Sequence, residues 1–99
     1  MMREVTVGAS LIFSDGLERP LASELSVGRD PANDLVLVTK TVSREHATLV
    51  PDVERSAWRL QRLSHSGHVF VNGRAVSDAF LAPGDQIQVG TSVLVLEVA

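Results

Sequence analysis

Val69-Phe70-Val71-Asn72-Gly73 is a strand running into the strongest short hairpin signal that a sequence offers. A two-residue type I′ turn needs positive φ at both central positions, which Asn and Gly tolerate. The same pattern continues upstream. Trp58 and Leu60 alternate with Arg59 and Gln61, and residues 45–50 form a strand closed by Pro51-Asp52. Leu35-Val36-Leu37-Val38 is a short apolar run bounded by turn signals, as expected of a strand buried on both faces. Asp30-Pro31-Ala32-Asn33-Asp34 is a loop by composition, preceded by a strand from Leu21 to Leu25 that runs on to Val27. At the start of the chain, residues 4–13 put Val5, Val7, Ala9, Leu11 and Phe13 on one face before an Asp15-Gly16 turn. Glu4, Thr6 and Ser10 fall on the other face.

Downstream, Pro83-Gly84-Asp85 marks a turn, and Gln86–Val89 and Val93–Val98 close the chain as a hairpin through Gly90-Thr91. About ten to eleven short strands with turn signals every 8–12 residues describe an all-β sandwich or barrel. A short helix around Ser43–Leu49 is the only competitor, and its β-branched neighbours disfavour it.

Composition narrows the functions. The 99 residues are read as one domain, 1–99, 44% hydrophobic and 21% charged, as in an ordinary globular chain. No apolar run is long enough to cross a bilayer, and Met1-Met2-Arg3-Glu4 does not open a signal peptide, so no membrane insertion and a cytoplasmic residence are expected. The absence of cysteine excludes disulfides and thiolate metal sites, and the three histidines are too scattered to suggest a metal. A net charge of −3 argues against nucleic acid as the partner. Yet Arg29, Lys40 and Arg44 fall in loops, with His65 and His68 in a third, while many carboxylates lie elsewhere. A local positive pole on an acidic protein suits a small anionic ligand.

Fixed points along this pattern resemble the forkhead-associated (FHA) domain. They are Gly28-Arg29, Ser43-Arg44-Glu45-His46, Ser64-His65-Ser66-Gly67, Val71-Asn72-Gly73 and Pro83-Gly84-Asp85, in that order over nearly the whole chain. The resemblance implies a two-sheet β-sandwich of mainly antiparallel strands, loops gathered at one end, no cofactor and no enzymatic activity. It implies a phosphothreonine-containing partner, a substrate of a Ser/Thr kinase in signalling. Domains of this kind often sit beside kinases, transporters or regulators in larger proteins. A phosphate-independent assembly module, as in secretion or scaffold systems, is the alternative.

A phosphothreonine carries roughly −1.5 to −2 charges and three acceptor oxygens, so its reader needs donors fixed at the rim of a rigid sheet. Arg29 can offer a forked, charge-assisted pair of bonds. Ser43, expected to open the next strand, adds a hydroxyl and a backbone donor. By resemblance these two are the phosphate contacts, with Arg44, His65 and Ser66 as further peptide contacts. Gly28, His46, Gly67, Asn72 and Gly73 are implied to support the site structurally, with His46 turned inward. Ser43 and His46 invite a nucleophile–base reading, but three residues apart on a strand they would face opposite ways, so no catalytic residue is assigned. The segment departs from the family at Ser66, where an asparagine is usual, and is one residue longer before Asn72. Either His65 compensates, or peptide binding is weaker, or the alignment shifts by one. Thr41 stands where some members carry a basic residue, with Lys40 beside it.

Overall fold

The computed structural model describes residues 9–98. It contains eleven strands in two sheets. In chain order these are β1 (Ala9–Phe13), β2 (Glu18–Pro20), β3 (Leu25–Gly28), β4 (Leu35–Val36), β5 (Ala47–Asp52), β6 (Ala57–Arg62), β7 (Val69–Val71), β8 (Arg74–Val76), β9 (Asp78–Leu81), β10 (Gln86–Val89) and β11 (Ser92–Val98). One sheet has the order β2-β1-β11-β10-β7-β8 and the other β4-β3-β5-β6-β9. The pairings are antiparallel except β3 with β4. Among the described residues there is no helix, hence none long and apolar enough to cross a membrane. The expected all-β, two-sheet sandwich is therefore what forms.

Period-two alternation explains how the sheets close on each other. In β6, Trp58 and Leu60 are buried while Arg59 and Gln61 are partly exposed. In β10 and β11, Ile87, Val89, Leu94 and Leu96 point inward. These meet Leu49 and Val27 of the opposite sheet in one core, as two inner faces of a sandwich should. The Asn72-Gly73 turn has φ of 52° and 82°, and Val71 pairs directly with Arg74, as the hairpin signal requires.

Several boundaries differ from the sequence reading. Residues before Ala9 in the expected 4–13 strand lie outside the described residues. Leu21 is buried, but it lies in a segment crossing between sheets; of the expected strand only Leu25 to Val27 forms, within β3, while Glu18–Pro20 before it forms β2. β5 continues through Pro51 and Asp52 instead of ending before them, with Pro51 opposite Trp58. Leu35-Val36-Leu37-Val38 is not buried on both faces: Leu35 and Leu37 are inside, whereas Val36 and Val38 are exposed. The reason is that each sheet of the sandwich is covered on its inner face alone, so the outward residues of β4 meet solvent. Its parallel pairing with β3 needs no helical crossover, because a two-residue strand requires the chain to step back only roughly 7 Å. The 29–34 loop makes that step. Asp34 then clamps it to β3, its carboxylate accepting the Ser26 N–H at 2.9 Å and the Ser26 hydroxyl at 3.2 Å.

Those two bonds, the backbone one foremost, hold the Asp34 carboxyl below its usual pKa. A depressed carboxyl favours the folded loop above the ordinary carboxylate range and loses that contribution as pH falls through it. The protection factor of the Ser26 amide, taken against its intrinsic exchange rate at each pH, is expected to fall at acidic pH in the wild type and to be low throughout in Asp34→Ala. Identical exchange in the two proteins would show that the clamp does not hold the loop. In the core, Leu60→Ala is expected to destabilise the fold by about 2–5 kcal/mol in urea unfolding. Val53→Ala, on an exposed turn, should change it by less than about 0.5 kcal/mol.

Candidate functional site

The loops of interest begin where the strands end. Gly28 closes β3 with no room for a side chain: a Cβ there would lie 2.1 Å from the Arg44 carbonyl oxygen and 2.6 Å from Asn33 Nδ2. That close approach lets Asn33 donate to the Arg44 carbonyl at 2.7 Å, fastening the 29–34 loop to the segment before β5. Arg29 follows directly. Its backbone N–H donates to the Ser43 carbonyl at 2.9 Å and its Nε to the Val42 carbonyl at 3.0 Å. The guanidinium is thus oriented by one bond, and among the described residues none bonds its two terminal nitrogens.

Residues 39–46 form turns and bends, not the strand expected at Ser43 and Glu45. This overturns the argument that Ser43 and His46 diverge. His46 is fully buried, and its ring turns back so that Nδ1 accepts the Ser43 N–H at 3.0 Å. With Nδ1 accepting, the ring proton belongs on Nε2, which donates to the His68 carbonyl at 3.0 Å. Both ring nitrogens are engaged with backbone, so Ser43 has no base at hand. The Ser43 amide is likewise occupied, leaving its hydroxyl as the group available to a ligand.

That hydroxyl is placed by Ser64, whose role the sequence did not disclose. Ser43 Oγ and Ser64 Oγ are 2.7 Å apart, and Ser64 Oγ accepts the Gly67 N–H at 2.9 Å. When Ser64 donates to Ser43, the Ser43 proton is free to point outward. Gly67 is buried against the same group: a Cβ would meet His46 Cε1 at 2.5 Å and Ser43 Oγ at 2.8 Å. A third segment joins from the β10–β11 turn, where Thr91 N–H donates to Thr41 Oγ1 at 3.2 Å.

Together these loops border an open cleft of about 550 Å³. Arg29, Ser43 and Ser66 line it, as do Lys40, Thr41, His68 and Thr91, so it holds basic residues and no carboxylate. Arg44 and His65 do not line it; both are exposed on the flanking loops. Asn72 and Gly73 stand off at the far end of β7. Asn72 donates to Asp85 Oδ1 and accepts the Gln86 N–H, both at 2.9 Å, so it braces the 83–85 turn. Thr91 was missed because Gly90-Thr91 has the composition of an ordinary hairpin turn, and only the fold brings it to Thr41. A second cleft, about 470 Å³, lies at the opposite end of β11 and is lined by Glu18 and Glu97, the wrong charge for a phosphate. Among the described residues no three His, Asp or Glu side chains gather as a metal site would need.

The family model for the FHA domain matches residues 25–90. The chain belongs to the FHA family. FHA domains are interaction modules, and the matched span runs from β3 to Gly90 after β10, including every residue that lines the cleft except Thr91. The glycogen accumulation regulator GarA of Mycobacterium tuberculosis is 36% identical over 70 residues, 71% of this chain and 42% of GarA. The chain thus spans less than half the length of that relative. Mycobacterium tuberculosis EmbR, solved in complex with a low-affinity phosphopeptide, superposes with a TM-score of 0.86 at 29% identity, over 94% of this chain and 25% of EmbR. An FHA domain solved in a study of phosphothreonine-dependent FHA interactions superposes with a TM-score of 0.81 at 27% identity, covering 92% of this chain and 96% of that one.

Two substitutions test this geometry. Gly67→Ala should push a methyl into the His46 ring and lower stability by about 1–3 kcal/mol. His46→Ala should cost at least about 2 kcal/mol, because the Ser43 N–H and His68 carbonyl lose their partner beside a new cavity. Thermal melts unchanged in both variants would contradict the packing described.

Proposed function

We propose that the domain binds phosphothreonine on a partner protein, the product of a Ser/Thr kinase, in the cleft between Arg29, Ser43 and Thr91. The observation that carries this reading is the pairing of a guanidinium fixed through Nε with a hydroxyl fixed through Ser64, in a cleft without carboxylates. Donors oriented before the ligand arrives bind a phosphate with little loss of side-chain freedom. The two terminal nitrogens of Arg29 suit a forked bond to phosphate oxygens, and Lys40 adds a point charge. EmbR solved with a phosphopeptide, and the FHA domain solved in a study of phosphothreonine-dependent interactions, support it by similarity. Residues 1–99 act in this reading as one binding module, without cofactor or catalysis.

Ser66 favours a second reading. It lines the cleft with a short hydroxyl where an asparagine amide would reach the peptide backbone, which suits a phosphate-independent assembly module.

Calorimetric titration with paired phosphothreonine and unmodified peptides distinguishes the two. The phosphate reading predicts binding of the modified peptide only. Arg29→Ala is expected to lose about 2–5 kcal/mol of it, enough to erase a micromolar interaction, and Ser43→Ala to lose less. Equal affinity for both peptides, or full affinity in Arg29→Ala with an unchanged melt, would overturn it in favour of the assembly module.

A further inference from the structure

The segments that border the cleft carry different chemistry. Residues 40–43 supply Lys40 and Ser43, and Arg29 is tied to them through the Val42 carbonyl. A phosphothreonine carries roughly −1.5 to −2 charges, so the Arg29 guanidinium and the Lys40 ammonium already balance it. The 66–70 segment adds a further basic group, His68, and no carboxylate lines the cleft to answer it.

The fold holds that ring toward the opening. His68 stands one residue before β7, and Val69 beside it is buried. Period-two alternation therefore turns His68 and Phe70 outward together, and both line the cleft. Their ring centroids lie 6.2 Å apart with the planes tilted by 41°, within the range of aromatic pairs. The backbone beneath is fixed, because the His68 carbonyl accepts a hydrogen bond from His46 Nε2 at 3.0 Å. The side chain itself is exposed, and among the described residues nothing bonds its ring nitrogens. His65 is exposed too, but it lies outside the cleft.

We infer that His68 reads an acidic side chain beside the phosphothreonine, so that the domain selects phosphothreonine with a carboxylate at one set position. The inference rests on the phosphopeptide reading of the cleft. Charge decides the ligand: Arg29 and Lys40 suffice for the phosphate, and His68 is a surplus basic group without a carboxylate of its own. An imidazole donates to a carboxylate in either protonation state, through one N–H when neutral and two when charged. Such a bond is charge-assisted, whereas a main-chain carbonyl would leave the surplus charge without a counterpart. An extended peptide advances roughly 3.3 Å per residue and turns successive side chains to opposite sides. With the phosphate seated, one position along it therefore meets the ring.

Fluorescence anisotropy on an alanine-based phosphothreonine peptide, with glutamate or glutamine placed singly at each of four positions on either side, tests this. At one position glutamate is expected to bind about fivefold tighter than glutamine, as an ion pair open to solvent allows. His68→Phe keeps a ring against Phe70 and removes the nitrogens. It should bring that ratio to about one while leaving the affinity for the glutamine peptides unchanged. The side chain is exposed, so the melt should match the wild type; if the phenyl variant melts lower, His68→Ala is expected to give the same loss of preference. Several outcomes would overturn the proposal and leave the phosphate reading intact. One is binding with no position that favours glutamate. A preference that persists in both variants would assign it to the field of Arg29 and Lys40. An equal loss for glutamate and glutamine peptides would show that His68 holds the peptide main chain instead. Absence of phosphate-dependent binding to every peptide would overturn both readings.

Discussion

The imidazole of His46 lies buried between two segments that the fold must hold together: the turns before β5, and the crossing that carries the chain from β6 to β7. One ring nitrogen accepts the Ser43 N–H and the other donates to the His68 carbonyl. A buried polar ring is stabilising only when both nitrogens are satisfied, so its presence fixes the positions of both segments. Gly67 packs against the ring because nothing larger fits, and its N–H reaches Ser64, which in turn touches Ser43. The position of the Ser43 hydroxyl thus follows from a fully buried histidine. Arg29 is tied to the same segment through the Val42 and Ser43 carbonyls.

This arrangement explains how an acidic protein can hold a cleft lined by basic residues and no carboxylate. The net charge of −3 describes the whole surface, while binding depends on the local field. The carboxylates have been kept apart from the cleft by topology. Glu18 and Glu97 lie at the other end of β11, and Asp78 is paired with Arg59 on β6, which lowers its carboxyl pKa through that hydrogen bond. Asp30 and Asp34 sit closer, but their oxygens accept N–H groups of their own loop or of β3. Arg29 and Lys40 therefore face an opening free of opposite charge. Loops on a rigid sandwich can vary in this way without disturbing the core that positions them.

Much of the fold was legible because alternation and turn chemistry are local. Asn72-Gly73, Pro83-Gly84-Asp85 and Gly90-Thr91 turned where their composition required, and Trp58 and Leu60 went inward as their period predicts. What failed was context. Leu35–Val38 looks buried on both faces until its sheet is known to be covered on one face alone, and Leu21 looks like a strand residue until the chain is seen to change sheets there. In the site, Arg29, Ser43 and Ser66 come together in the cleft while Arg44 and His65 stay outside it, because adjacent residues in a turn diverge. Ser64 and Thr91 could not be singled out: their partners, Ser43 and Thr41, are remote in sequence and meet only after the sheets close. Ser43 and His46 do not diverge as strand neighbours would, since the segment is turned and the ring folds back. Two occupied nitrogens, and not distance, deny the serine a base.

The central claim is that a preset anion site forms where Arg29, Ser43 and Thr91 converge. Amide and arginine side-chain NMR spectra, recorded while a phosphothreonine peptide is added, test it most directly. The account predicts shifts concentrated at Arg29 Nε and the amides of residues 40–43, 66–68 and 90–91, with none caused by the unphosphorylated peptide. Shifts centred on the Glu18 and Glu97 cleft, or equal responses to the two peptides, would contradict it.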